Sequence, residues 1–163
     1  MKQLSPSFAV LALAIIPCAA LGDCPVTLPS SSPVNVPKSA SSDSFAWYGS
    51  EALAVRLPAN GKWRGMGPGR NYFDKFWIWR RGYEAKLEPR PALSFAGIKL
   101  DGGEPQRLQI DEATNAFGPG WSQMLVGMEF PSAGCWKVTA KYVSAGITQD
   151  LTFVVDVIGE ASH

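Results

Sequence analysis

Two stretches near the C-terminal end of the chain alternate apolar and polar residues at a period of two. Trp136, Val138, Ala140 and Tyr142 share one parity, with Lys137, Thr139 and Lys141 between them. Leu151, Phe153, Val155 and Val157 repeat the pattern, with Thr152 and Asp156 on the other parity. A period of two places every second side chain on one side of an extended backbone, so each stretch predicts a strand with one face in a core. Residues 144–149 join the two strands into a hairpin that anchors the fold.

Earlier segments carry the same signal. Leu53, Val55 and Leu57 alternate with Ala54 and Arg56. Asn60-Gly61 follows them, a hairpin turn signal because both residues tolerate positive φ. Phe76 to Trp79 is apolar on both parities. Leu93 and Phe95 are odd while Ile98 and Leu100 are even, so the phase slips at Ala96-Gly97 and predicts a β-bulge there. Asp101-Gly102-Gly103 turns the chain. Met124, Val126, Met128 and Phe130 then alternate with Leu125, Gly127 and Glu129. Helical periodicity is nearly absent. About seven short strands with Gly/Pro-rich punctuation predict an all-β fold, an antiparallel immunoglobulin-like β-sandwich, with a small β-barrel as the alternative. Because Trp136 faces the core, Cys135 is expected to face outward or to sit at the end of its strand, unlike the inter-sheet cysteine of antibody domains.

The N-terminal segment is an address. Lys2 precedes the apolar run Phe8–Ile16; Pro17 breaks the run and small residues follow. That is the layout of a secretory signal peptide over residues 1–22. The run is too short to span a bilayer, which needs about 20 apolar residues. Removing residues 1–22 takes away Lys2 and reduces the formal net charge of +1 to zero. Residues 23–44 are rich in Pro and Ser and read as an extended tail or linker. The domain spans residues 45–159, and residues 160–163 form a C-terminal tail. The expected location is periplasmic, extracellular or on the cell surface. In an oxidising compartment the two remaining cysteines, Cys24 and Cys135, are expected to pair and to pin the tail to the outside of the sandwich. Lipidation of Cys24 competes for the same sulfur and would add a membrane anchor, but Asp23 directly before it departs from the usual acceptor pattern.

Several short motifs resemble a known group. Cys24-Pro25-Val26-Thr27, Trp47-Tyr48-Gly49, Phe76-Trp77-Ile78-Trp79-Arg80, Glu88-Pro89-Arg90-Pro91, Ala113-Thr114-Asn115-Ala116-Phe117, the Met124–Pro131 run and Gly134-Cys135-Trp136 together resemble a family of exported bacterial proteins without an assigned activity, some of them described as lipoproteins. The resemblance covers about residues 24–158. It implies that the two cysteines are a paired feature, and it carries no catalytic residues.

The residue inventory argues against several chemistries. A near-neutral chain with a pI of about 7.7 lacks the basic footprint of a nucleic-acid binder. The single histidine is His163, the last residue, which leaves poor material for His-based catalysis or zinc. Asp111-Glu112 and Glu84/Glu88 are the near carboxylate clusters. Neighbours on a strand point oppositely, and residues four apart are separated by more than about 13 Å, so both read as surface charge. Met66, Met124 and Met128 suit Cu(I) by softness, but the last two share a core face. No cofactor or metal is expected.

The tryptophans are the candidates that remain. Trp77 and Trp79 share a face opposite Phe76 and Ile78, flanked by Arg80, Arg81 and Tyr83. They form either an aromatic strip for a sugar ring or a partner's side chain, or the packed face of a central strand. Trp63 and Trp121 lie among glycines and read as loop contact residues. The expectation is a non-catalytic binding or structural module of the cell envelope, with an envelope protein or polysaccharide as partner. The alternatives are an inhibitor-type sandwich using residues 61–72 against a secreted hydrolase, and an envelope enzyme or metal-handling protein.

Overall fold

The computed structural model describes residues 23–29, 36, 44–65, 72–102, 107–118 and 120–159. The signal segment, His163, Gly103 and residues 66–71 of the inhibitor-loop candidate, Met66 among them, lie outside the described residues. Among the described residues there are ten strands: β1 (Phe45–Gly49), β2 (Ala54–Pro58), β3 (Lys62–Trp63), β4 (Phe73–Trp79), β5 (Leu93–Lys99), β6 (Gln109–Ile110), β7 (Thr114–Gly118), β8 (Trp121–Glu129), β9 (Gly134–Ser144) and β10 (Ile147–Val157). They form two sheets. The first runs β1-β2-β4-β8-β6, with β7 also on β8; the second runs β3-β10-β9-β5. All pairs are antiparallel except β3 with β10. No helix of the described residues is long and apolar enough to cross a membrane.

The alternating parities meet between the sheets. Leu57, Phe76, Ile78, Met124, Val126, Met128 and Phe130 come from the first sheet and its continuation, and Trp136, Val138, Tyr142, Phe153 and Val155 from the second. This is a two-layer β-sandwich, not the barrel alternative. Trp63 stacks on Phe76 with centroids 4.2 Å apart and planes 12° apart. At 2% exposure Trp63 belongs to the core, which corrects its reading as a loop contact residue.

Three local expectations change. Asn60-Gly61 does turn the chain, with φ 68° at Gly61. It does not close a hairpin, because β2 and β3 lie in different sheets; the turn is where the chain crosses between layers, and burial of Trp63 between them carries β3 onto β10. No bulge interrupts β5, whose register with β9 is continuous from Leu93↔Tyr142 to Lys99↔Trp136. The inward position at 97 is a glycine because Leu108 already fills that volume; a Cβ there would lie 2.6 Å from the Leu108 side chain. Ile98 and Leu100 consequently point to solvent, at 59% and 43% exposure. A one-residue slip occurs instead along the edge of β8. Gln109 and Ile110 pair with Glu129 and Met128, whereas Thr114 pairs with Leu125, so the β6–β7 edge carries one extra residue.

The β9–β10 hairpin is tighter than its 144–149 estimate. It turns through Ala145 and Gly146, with φ of 48° and 79°, the sign pattern of a type I′ turn. The N-terminal segment is more than a linker. The Thr27 N–H donates to the Val154 carbonyl at 2.9 Å, and the Val154 N–H donates to Thr27 Oγ1 at 2.8 Å. Val26 packs against Gly61. The Cys24 and Cys135 sulfurs stand 2.03 Å apart with Cα atoms 5.4 Å apart, a disulfide on the outer side of the second sheet.

Candidate functional site

The segment between β4 and β5 closes one end of the sandwich. Arg81 pairs with Glu51 through both side chain and backbone. Tyr83 then turns inward, and its hydroxyl donates to the Glu88 carbonyl at 3.0 Å. Asn115 on β7 donates to the Pro89 carbonyl at 2.8 Å. Tyr142 on β9 donates to the Glu88 carboxylate at 2.5 Å. The segment is thus tied to both sheets. The Arg80 guanidinium lies 5.1 Å from the Tyr142 ring centroid. Burial pushes the Tyr83 hydroxyl up to about 12 and raises Tyr142 as well, so both remain neutral donors at ordinary pH.

Between this segment and the β7–β8 turn lies an open groove of about 300 Å³. Tyr83, Phe117 and Trp121 supply aromatic surface; Glu84, Lys86 and Ser122 supply polar groups. Trp121 lies over Gly118, where a Cβ would sit 2.6 Å from the indole Nε1. Glycine at 118 therefore sets the position of the indole. Phe117 is 57% exposed, which is unusual for a phenylalanine in a strand.

The outer face of the first sheet is a second arrangement. Trp47, Ala54 and Trp79 form a buried cluster there, with Val36 and Trp77 packed against it. Trp79 is 7% exposed, so the expected open strip is corrected: its distal tryptophan is covered, and only Trp77 is half-exposed. The cause is the register, which sets Trp79 across from Ala54 on β2, where Trp47 and Val36 pack over it. Gln123 is fully buried, and among the described residues neither of its amide atoms has a hydrogen-bond partner.

The expected contact set therefore divides. Tyr83 and Trp121 share the groove, Arg80 and Arg81 fix its wall, Trp77 and Trp79 lie on the outer sheet face, and Trp63 is in the core. Phe117, Trp47, Arg56 and Gln123 were not singled out from sequence. Trp47 and Arg56 carry a legible signal, since both occupy the outward parity of alternating strands. Phe117 and Gln123 depend on how the β6–β7 edge meets β8. Among the described residues no group of His, Cys, Asp or Glu is arranged to hold a metal ion. Comparisons with protein-family models, curated proteins and solved structures find no match to the chain.

Proposed function

We propose that this chain is an exported, non-catalytic binding module of the cell envelope, and that its ligand is a polysaccharide held in the groove between residues 83–86 and the β7–β8 turn. The observation that supports this most directly is the pairing of Trp121 and Phe117 with Glu84, Lys86 and Ser122 around one concavity. Sugar rings present apolar faces that pack on flat aromatic surfaces and hydroxyls that hydrogen-bond to polar groups at the rim. The groove is at the small end of ligand-site volumes, which suits one or two sugar rings rather than a folded partner. The segment tied down by Glu88 and Asn115 gives the groove a preformed wall. The N-terminal address and the Cys24–Cys135 pair support an exported location.

Affinity electrophoresis of the mature chain through gels containing purified wall polysaccharide tests the reading. The expected result is retardation of the wild type that is lost in Trp121→Ala and reduced in Phe117→Ala. Equal mobility of wild type and Trp121→Ala in every polysaccharide gel would overturn it.

A further inference from the structure

The outer face of the first sheet carries a cation in an unusual setting. Arg56 projects from β2 between Trp47 on β1 and Trp77 on β4. Its guanidinium carbon stands 4.6 Å from the centroid of Phe45 and 5.6 Å from that of Trp77. Phe45, Arg56 and Trp77 are all half-buried. Stacking on aromatic rings occupies the faces of a guanidinium and leaves its five N–H donors in the plane. Among the described residues no carboxylate lies within ion-pair distance of Arg56, and none accepts a hydrogen bond from it.

The surrounding charges sharpen the point. Asp74 acts on Arg56 only through space, and burial raises the Asp74 carboxyl above the usual carboxylate range. Burial also disfavours the charged form of Arg56. Lys75 lies exposed on the next strand, two residues from Trp77 and on the same face. Asp111, the carboxylate lying over Gly127, is one strand further out, across from Lys75 in the sheet. A guanidinium that lies over aromatic rings and meets no carboxylate of the described residues at its edge is organised for a planar oxyanion, which it can take through two parallel hydrogen bonds.

We infer that Phe45, Arg56 and Trp77 form a second site, separate from the groove, that takes the carboxylate of a uronate-bearing polysaccharide, with Arg56 binding the carboxylate and the aromatic surface beside it packing on the sugar ring. This site lies on the outer sheet face and does not depend on the groove being a ligand site.

Binding of trigalacturonate to the mature full-length chain, followed by tryptophan fluorescence and calorimetry, tests it. The methyl-esterified trimer and a tri-aspartate peptide serve as comparison probes. The wild type is expected to bind the acid in the millimolar range or tighter, to lose that binding with added salt, and to bind the ester at least about 10-fold more weakly, the worth of one charge-assisted hydrogen-bonded pair. Arg56→Gln should show the same loss toward the acid and no further change toward the ester. Arg56→Lys, which keeps the charge but not the planar fork, should recover only part of the affinity. Ile98→Ala, on the exposed outer face of the second sheet, should bind the acid as the wild type does. Near-UV circular dichroism matching the wild type establishes that each Arg56 variant is folded. Equal binding of acid and ester, unchanged affinity in folded Arg56→Gln, no binding by the wild type at millimolar probe, or tri-aspartate binding as tightly as the sugar acid would each overturn the assignment.

Discussion

Replacing both cysteines by serine tests the role of the Cys24–Cys135 bond. The bond joins positions 111 apart in sequence. The chain-entropy relation assigns a closed loop of that length roughly 4–5 kcal/mol, exerted on the unfolded ensemble. The native contacts held by the bond are few: Thr27 exchanges two hydrogen bonds with Val154, and Val26 packs on Gly61. Cys135 is 6% exposed, so serine there also buries a hydroxyl, at a further cost of about 1 kcal/mol or more. Cys24→Ser, Cys135→Ser is therefore expected to lower the unfolding free energy by about 4 kcal/mol or more, a large fraction of a typical domain's 5–15 kcal/mol. Equilibrium unfolding in guanidinium, read by tryptophan fluorescence and far-UV circular dichroism, measures it. The expected record is a lower midpoint with a larger m-value, because the unlinked chain exposes more surface on unfolding. Intact mass of the mature wild type should rise by two hydrogens on reduction. A midpoint shift worth less than about 1 kcal/mol, with m unchanged, would refute the loop-entropy reasoning. A diacylglycerol adduct on Cys24 would refute the bond itself.

Three further predictions concern single sites. Gln123→Leu removes two buried unpaired polar atoms from β8 and should stabilise the fold by about 1–3 kcal/mol, read as a higher Tm; a lower Tm would mean that the amide is satisfied in solution. Ala145→Asn creates the Asn-Gly pair that a type I′ turn favours and should add about 0.5–1 kcal/mol, checked by denaturant midpoint. Tyr83 ionises in the unfolded chain near 10.0 and in the folded chain near 12. Its contribution to stability is therefore complete below pH 10 and declines as the pH rises towards 12. Tyr48 and Tyr142 are raised in the same direction. Tm should fall across this range, and Tyr83→Phe should shallow the fall.

The strand faces were legible because alternation is a local property. Every residue of β9 and β10 assigned to the core by parity faces it, and so do Val55, Met124 and Met128. The bulge expected at Ala96-Gly97 misled for a specific reason: Leu108 supplies from elsewhere in the chain the apolar volume that residue 97 lacks. The candidate site was legible only in part. Tyr83 and Trp121 were named, but their meeting in one groove depends on Glu88 and Asn115 tying a loop between sheets.

By itself, the sequence determined that this chain builds strands, which side of each strand is apolar, and that Cys135 lies opposite Trp136. Each follows from the alternation of side chains along an extended backbone. The tertiary structure decided which strands became neighbours. It sent Lys62-Trp63 to the second sheet, covered Trp79 while leaving Trp77 and Arg56 half-exposed, and brought Phe117 beside Trp121. Those outcomes rest on contacts between residues far apart in the chain, where the space filled by one segment fixes what another can expose.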